Sequence, residues 1–131
     1  MHRFAEHTGE IQLLVEAPTL EAMYEETALA LAELMSTEIR PSEATIEARV
    51  EATDRDALYV AFIDELVYRS EIDKRIYAHA RVTHVTDTEV TTELGGFEPP
   101  AIRTAVKAAT MHDVAVEITA KGVSARVILD V

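Results

Sequence analysis

Glu6-His7-Thr8-Gly9-Glu10 packs two carboxylates, an imidazole and a hydroxyl into five residues near the start of the chain. Carboxylate oxygens are the donors that hard divalent cations such as Ca²⁺ and Mg²⁺ prefer. A further carboxylate, Asp130, stands at the other end of the sequence. The apolar residues of 9–17 (Ile11, Leu13, Val15) alternate with Glu10, Gln12 and Glu16, so Glu10 falls on the outward face of a strand. The same parity in 123–131 puts Val123, Ala125, Val127 and Leu129 inward and Asp130 outward. If the two strands are neighbours, Glu10 and Asp130 project from one side of a sheet and offer a cation two hard ligands.

Other chemistry has little to stand on. The four glycines, Gly9, Gly95, Gly96 and Gly122, do not form a phosphate-binding loop ahead of a helix. There is no GxSxG. With no cysteine, disulfides, thiolate metal sites and a cysteine nucleophile are excluded. His79 and His84 are an odd number of positions apart on one expected strand and point to opposite faces. Asp64-Glu65 lies within an expected helix, where adjacent acids diverge, and reads as a solvated edge. A metal-dependent hydrolase would need Glu10, Asp130 and His7 or His112 to converge around a bound water. A metal-free binding module would use only the acidic surface.

The elements that must position these groups follow from periodicity. Thr19 and Asp54 are the expected N-caps of helices over 19–35 and 54–70, whose stripes include Tyr24, Leu31, Leu58, Phe62 and Leu66. Residues 42–52, 76–83, 88–94, 102–118 and 123–131 alternate as strands, with a bulge or break expected at His112-Asp113. Gly95-Gly96 and Pro99-Pro100 are expected to bracket an irregular loop. The order β-α-β-α-β-β-β-β predicts an α+β, two-layer sandwich, with one mixed sheet of about six strands and both helices on one face. Residues 1–131 are expected to form a single domain.

Charge narrows the partners. The net charge is −12, and residues 1–73 hold 17 acids against 5 bases while the remainder is balanced. Such a surface repels phosphate at long range, which argues against strong direct nucleic-acid binding and for a basic protein partner or a bound cation. At 48% hydrophobic and 27% charged residues, the composition is that of a globular protein and not of a disordered tail. No apolar run approaches the roughly 20 residues needed to cross a bilayer, and no basic-then-apolar leader opens the chain, so cytoplasm is the expected compartment.

Three stretches then resemble one family. Glu6-His7-Thr8-Gly9-Glu10 is similar to the Asp-His-Thr-Ala-Asp of the archeases, Val106-Lys107-Ala108-Ala109-Thr110-Met111-His112 to their Val-Lys-Ala-Val-Thr-Tyr-His, and Arg126-Val127-Ile128-Leu129-Asp130-Val131 to their C-terminal Arg-Val-Ile-Leu-Asp-Ile. The resemblance implies a non-catalytic activator of an RtcB-type RNA ligase in tRNA splicing or RNA repair, promoting ligase guanylylation and turnover. It also implies a chaperone-like link to a tRNA methyltransferase as an alternative. It implies Ca²⁺, or Mg²⁺ or another divalent cation, held by Glu10, Asp130 and the carbonyl of Val131, with Glu6, His7, Thr8, Lys107 and His112 supporting or facing the partner. Glu6 and Glu10 stand where the family has aspartates, keeping charge on a longer arm. Met111 stands where it has tyrosine, which removes a hydroxyl beside His112.

Overall fold

Apolar alternation and two capped amphipathic stretches build, in order, β1 (His2–His7), β2 (Glu10–Ala17), α1 (Leu20–Met35), β3 (Ala44–Glu51), α2 (Arg55–Asp73), β4 (Ile76–Val85), β5 (Glu89–Phe97), β6 (Ala108–Thr119) and β7 (Gly122–Asp130). This is the architecture of a computed structural model that describes residues 1–7 and 9–131, residue 7 by its backbone. Both expected caps are in place. Thr19 Oγ1 accepts from the Ala22 amide at 3.1 Å, and Asp54 Oδ1 from the Ala57 amide at 2.8 Å, so each helix start has a side-chain acceptor for an otherwise orphaned amide. α2 runs past its expected end to Asp73, where Lys74 turns left-handed at φ 57°.

The α+β class stands, but the single mixed sheet does not. The strands form two sheets, β1-β2-β7-β6 and β3-β5-β4, and every neighbouring pair is antiparallel. The helices cover one edge of each sheet. α1 runs along β4 and α2 along β6, and helix carboxylates take the edge amides that another strand would have used. Val82 N–H donates to Glu25 at 3.0 Å, Ala109 N–H to Asp64 at 2.8 Å and Val116 N–H to Asp56 at 2.9 Å. Asp64 is therefore a half-buried clamp and not the solvated edge its neighbourhood implied. Burial raises its carboxyl pKa, and the bond from Ala109 only partly offsets this.

Three further departures have visible reasons. β1, absent from the expected pattern, pairs along β2 and is fastened to α1 by the His2 ring, which lies 2.5 Å from Glu26 and 2.6 Å from Glu33. Burial opposes ionisation of Glu26, yet the His2 hydrogen bond and the N-terminal ammonium together hold its carboxyl below the usual range. Gly95-Gly96 do not open a loop. They continue β5 to the buried Phe97, because a Cβ at Gly95 would stand 2.6 Å from Ser42 Oγ and one at Gly96 2.6 Å from the Tyr77 ring. The strand expected from 102 begins only at Ala108. Ahead of it the chain is tied to the end of α1, with Thr37 N–H donating to Ala101 O at 3.2 Å and Arg103 N–H to Met35 O at 2.8 Å.

The expected break at His112-Asp113 is present as a register shift between Thr110 and Ala115, with Asp113 at φ 58°. The β6–β7 hairpin closes at Gly122, whose φ is 133° and whose missing Cβ would lie 2.7 Å from the Ala17 carbonyl oxygen. Gly122→Ala is expected to destabilise the fold by about 1–3 kcal/mol through this strained φ and backbone clash. A lowered urea midpoint at unchanged slope is the measurement that checks it.

The core joins both helices to both sheets. Leu13 and Val15 of β2 and Val123, Ala125, Val127 and Leu129 of β7 are buried as their parity requires. Tyr24 of α1 meets Phe62 of α2 edge to face at 4.8 Å between centroids, with Tyr59 at 6.0 Å. Thr27 Oγ1 lies 2.9 Å from the Tyr59 hydroxyl and gives that buried group a partner. No helix among the described residues is long and apolar enough to cross a membrane.

Candidate metal site at the meeting of the chain ends

The register brings the two ends of the chain together. Glu10 pairs directly with Asp130 across β2 and β7, while His7 of β1 pairs with Glu10 and Ala108 of β6 with Asp130, so one row crosses the whole first sheet. Directly opposed residues of an antiparallel pair share a face, with Cβ atoms roughly 4.5–5.5 Å apart. Glu10 is half-buried and Asp130 exposed. The backbone beneath them is fixed: Lys107 N–H donates to the Asp130 carbonyl at 2.8 Å. Val131 follows at the end of β7, half-buried against the core.

The supporting residues are placed less uniformly. Glu6 pairs with Ile11 and so belongs to the opposite face from Glu10, exposed at the margin of the core side. Lys107 is exposed beside the row. His112 is brought elsewhere: it lies in the β6 bulge, 74% exposed, with Nε2 3.3 Å from Asp113. Met111 is exposed next to it. Thr8 and the side chain of His7 lie outside the described residues.

As a donor set, Glu10 and Asp130 suit a hard cation in kind, both being carboxylates on one face. Among the described residues no three His, Cys, Asp or Glu side chains group as a metal centre. Backbone carbonyls and water are the oxygen donors that complete a Ca²⁺ shell around so few carboxylates.

Sequence reasoning took Asp64 for a solvated edge and passed over Asp56, Lys74 and Arg75. Asp56 and Asp64 sit eight positions apart on α2, a spacing that returns to the same helix face, and this periodicity was the available signal for a paired clamp on β6. Lys74 and Arg75, at the end of α2, line a cavity with Lys107, which only the folded arrangement brings together.

With this geometry in hand, the relatives agree with one another. A family model described as the Archease protein family (MTH1598/TM1083) matches residues 2–131. Protein archease of Methanosarcina mazei is 27% identical over 139 aligned residues, covering 99% of this chain and 95% of that protein. Protein archease of Thermococcus gammatolerans is 30% identical over 122 residues, covering 86% and 84%. The solution structure of Methanobacterium thermoautotrophicum protein 1598 is similar with a TM-score of 0.72 at 26% identity, covering 99% of this chain and 98% of that one. The chain belongs to the archease protein family.

Proposed function

We propose that the chain is a non-catalytic, metal-binding activator of an RtcB-type RNA ligase in tRNA splicing or RNA repair, promoting ligase guanylylation and turnover. The observation that carries this reading is the direct opposition of Glu10 and Asp130. Family membership supports it, because the two carboxylates that the archease resemblance marks as ligands are paired by the register. Glu10, Asp130 and the Val131 carbonyl are the proposed ligands for Ca²⁺, and a bound cation supplies a fixed positive charge at that tip. Two carboxylates left without a cation there repel each other and any anionic group of the partner's substrate. Glu10 and Asp130 thus hold and orient the ion, while bond chemistry stays in the ligase. A hydrolase built on the same carboxylates with His112 fits poorly, since His112 stands in the bulge beside Asp113.

The test pairs calorimetry with a ligase assay. Ca²⁺ titration is expected to show one saturable site, weakened roughly tenfold or more by Asp130→Ala or Glu10→Ala. The wild-type protein is expected to raise ligase turnover, and Asp130→Ala to lose that stimulation while keeping its circular-dichroism spectrum. Ligase turnover that the wild-type protein leaves unchanged sinks the activator reading. Absence of saturable Ca²⁺ binding, with stimulation intact, removes the metal from it.

A further inference from the structure

A cavity of about 590 Å³ opens between the C-terminal end of α2 and the irregular segment that precedes β6. Its floor is apolar, made by Met35, Val67, Ile76 and Val106, all buried, and by Ile102, which is 53% exposed. Lys74, Arg75 and Lys107 stand around it, with Glu71 and Glu98 also on the wall. The cations here differ from most others in the protein. Arg40, Arg49, Arg55, Arg69, Arg81 and Arg126 each have a carboxylate within ion-pair distance. Among the described residues, Lys74, Arg75 and Lys107 have none, as is also true of Arg3, Arg103 and Lys121, but only these three share one cavity.

In a chain of net charge −12, an anion is repelled over most of the surface, yet the wall of this cavity carries more positive than negative charge. Its volume lies in the range of small-molecule sites, where an apolar lining supplies affinity and a few convergent charges fix orientation. The geometry points to a binding site for a small amphipathic anion, whose apolar body lies on the Met35, Ile76 and Ile102 floor and whose carboxylate or phosphate monoester head meets Lys74, Arg75 and Lys107. This site stands on the cavity and its charges alone, so it is independent of the cation at Glu10 and Asp130. Lys107 nevertheless adjoins both, because its amide donates to the Asp130 backbone carbonyl and it is among the residues that line the cavity.

Calorimetric titration of the full chain with octanoate, octyl phosphate and octylammonium, each below its micelle concentration, tests the assignment. Both anions are expected to bind saturably at one site, with octylammonium several-fold weaker. The stronger of the two anions identifies the head group as carboxylate or phosphate. Lys74→Glu combined with Lys107→Glu, both on exposed side chains, is expected to weaken the anions about tenfold and to reverse the preference for head charge. Ile102→Asp, on a half-exposed side chain, is expected to weaken the two anions further. Circular dichroism confirms that each variant is folded. Binding that ignores head charge or the double charge reversal overturns the site, as does a lack of saturable binding by the anions. Inorganic phosphate binding as tightly as octyl phosphate also overturns it, because the apolar floor then contributes nothing.

Discussion

Phe62→Ala is expected to lower the stability of the fold by about 3–5 kcal/mol, the range for removing a buried aromatic ring from a packed core. Phe62 is 1% exposed and its ring packs edge to face on Tyr24, which itself touches Tyr59. The substitution therefore leaves a cavity where α1 and α2 meet and also removes an aromatic pair, a contact worth about 0.5–1.5 kcal/mol beyond area burial. Against a total stability on the order of 5–15 kcal/mol, this is a large fraction. The melting temperature is expected to fall by on the order of 10–20 °C. Tyr68→Ala, on the same helix but 55% exposed, is the contrast, with an expected change within about 0.5 kcal/mol. Equal losses in the two variants, measured by urea unfolding, contradict the assigned packing.

Asp56→Ala with Asp64→Ala is expected to cost about 2–4 kcal/mol, since each leaves an edge amide of β6 without its charged acceptor. The two aspartates are roughly 12 Å apart along the helix axis, so their effects are expected to add. Hydrogen exchange gives the specific signature. Protection of the Ala109 and Val116 amides falls, while that of Val82, held by Glu25 in the other sheet, stays. Asp64→Asn separates charge from acceptor. The raised carboxyl pKa of folded Asp64 means that the native state binds its proton more readily than the unfolded chain does. Stability from this group is therefore greatest below the ordinary carboxyl pKa and declines as pH rises through the folded value. Asparagine keeps an acceptor for Ala109 without that titration. The variant is expected to gain on the native protein from about pH 4 upward and then hold a constant difference.

Local chemistry was legible where a residue's neighbours along the chain determine its state. Thr19 and Asp54 announced the helix starts because a side-chain acceptor just ahead of an apolar stripe serves the first-turn amides. The inward set of β7 was legible from parity, and so was the shared face of Glu10 and Asp130, given that their strands pair. That condition was not itself legible, since the pairing joins opposite ends of the chain. The split into two sheets was hidden for a related reason. The covered edges rest on Glu25, Asp56 and Asp64 bonding backbone far away in sequence, and a carboxylate on a helix looks the same whether it meets water or an edge amide. Gly95 and Gly96 misled because close approach of Ser42 and Tyr77, not a turn, demands the absence of a side chain. β1 was missed because its residues are mostly polar, and its hold on α1 runs through His2 to Glu26 and Glu33.

The same helix carboxylates decide what the sheets can join. A strand with open amides is a template for another chain, and proteins block such borders to avoid association edge to edge. At β4 and β6 an incoming strand would have to displace Glu25, Asp56 or Asp64 from the amides they hold. At β3, the other border of the smaller sheet, Glu47, Arg49 and Glu51 are exposed along the strand and make an apolar approach unfavourable. Three of the four borders are thus closed by charge. The same charges that argue against long-range attraction to phosphate also oppose edge-to-edge pairing of copies at these borders.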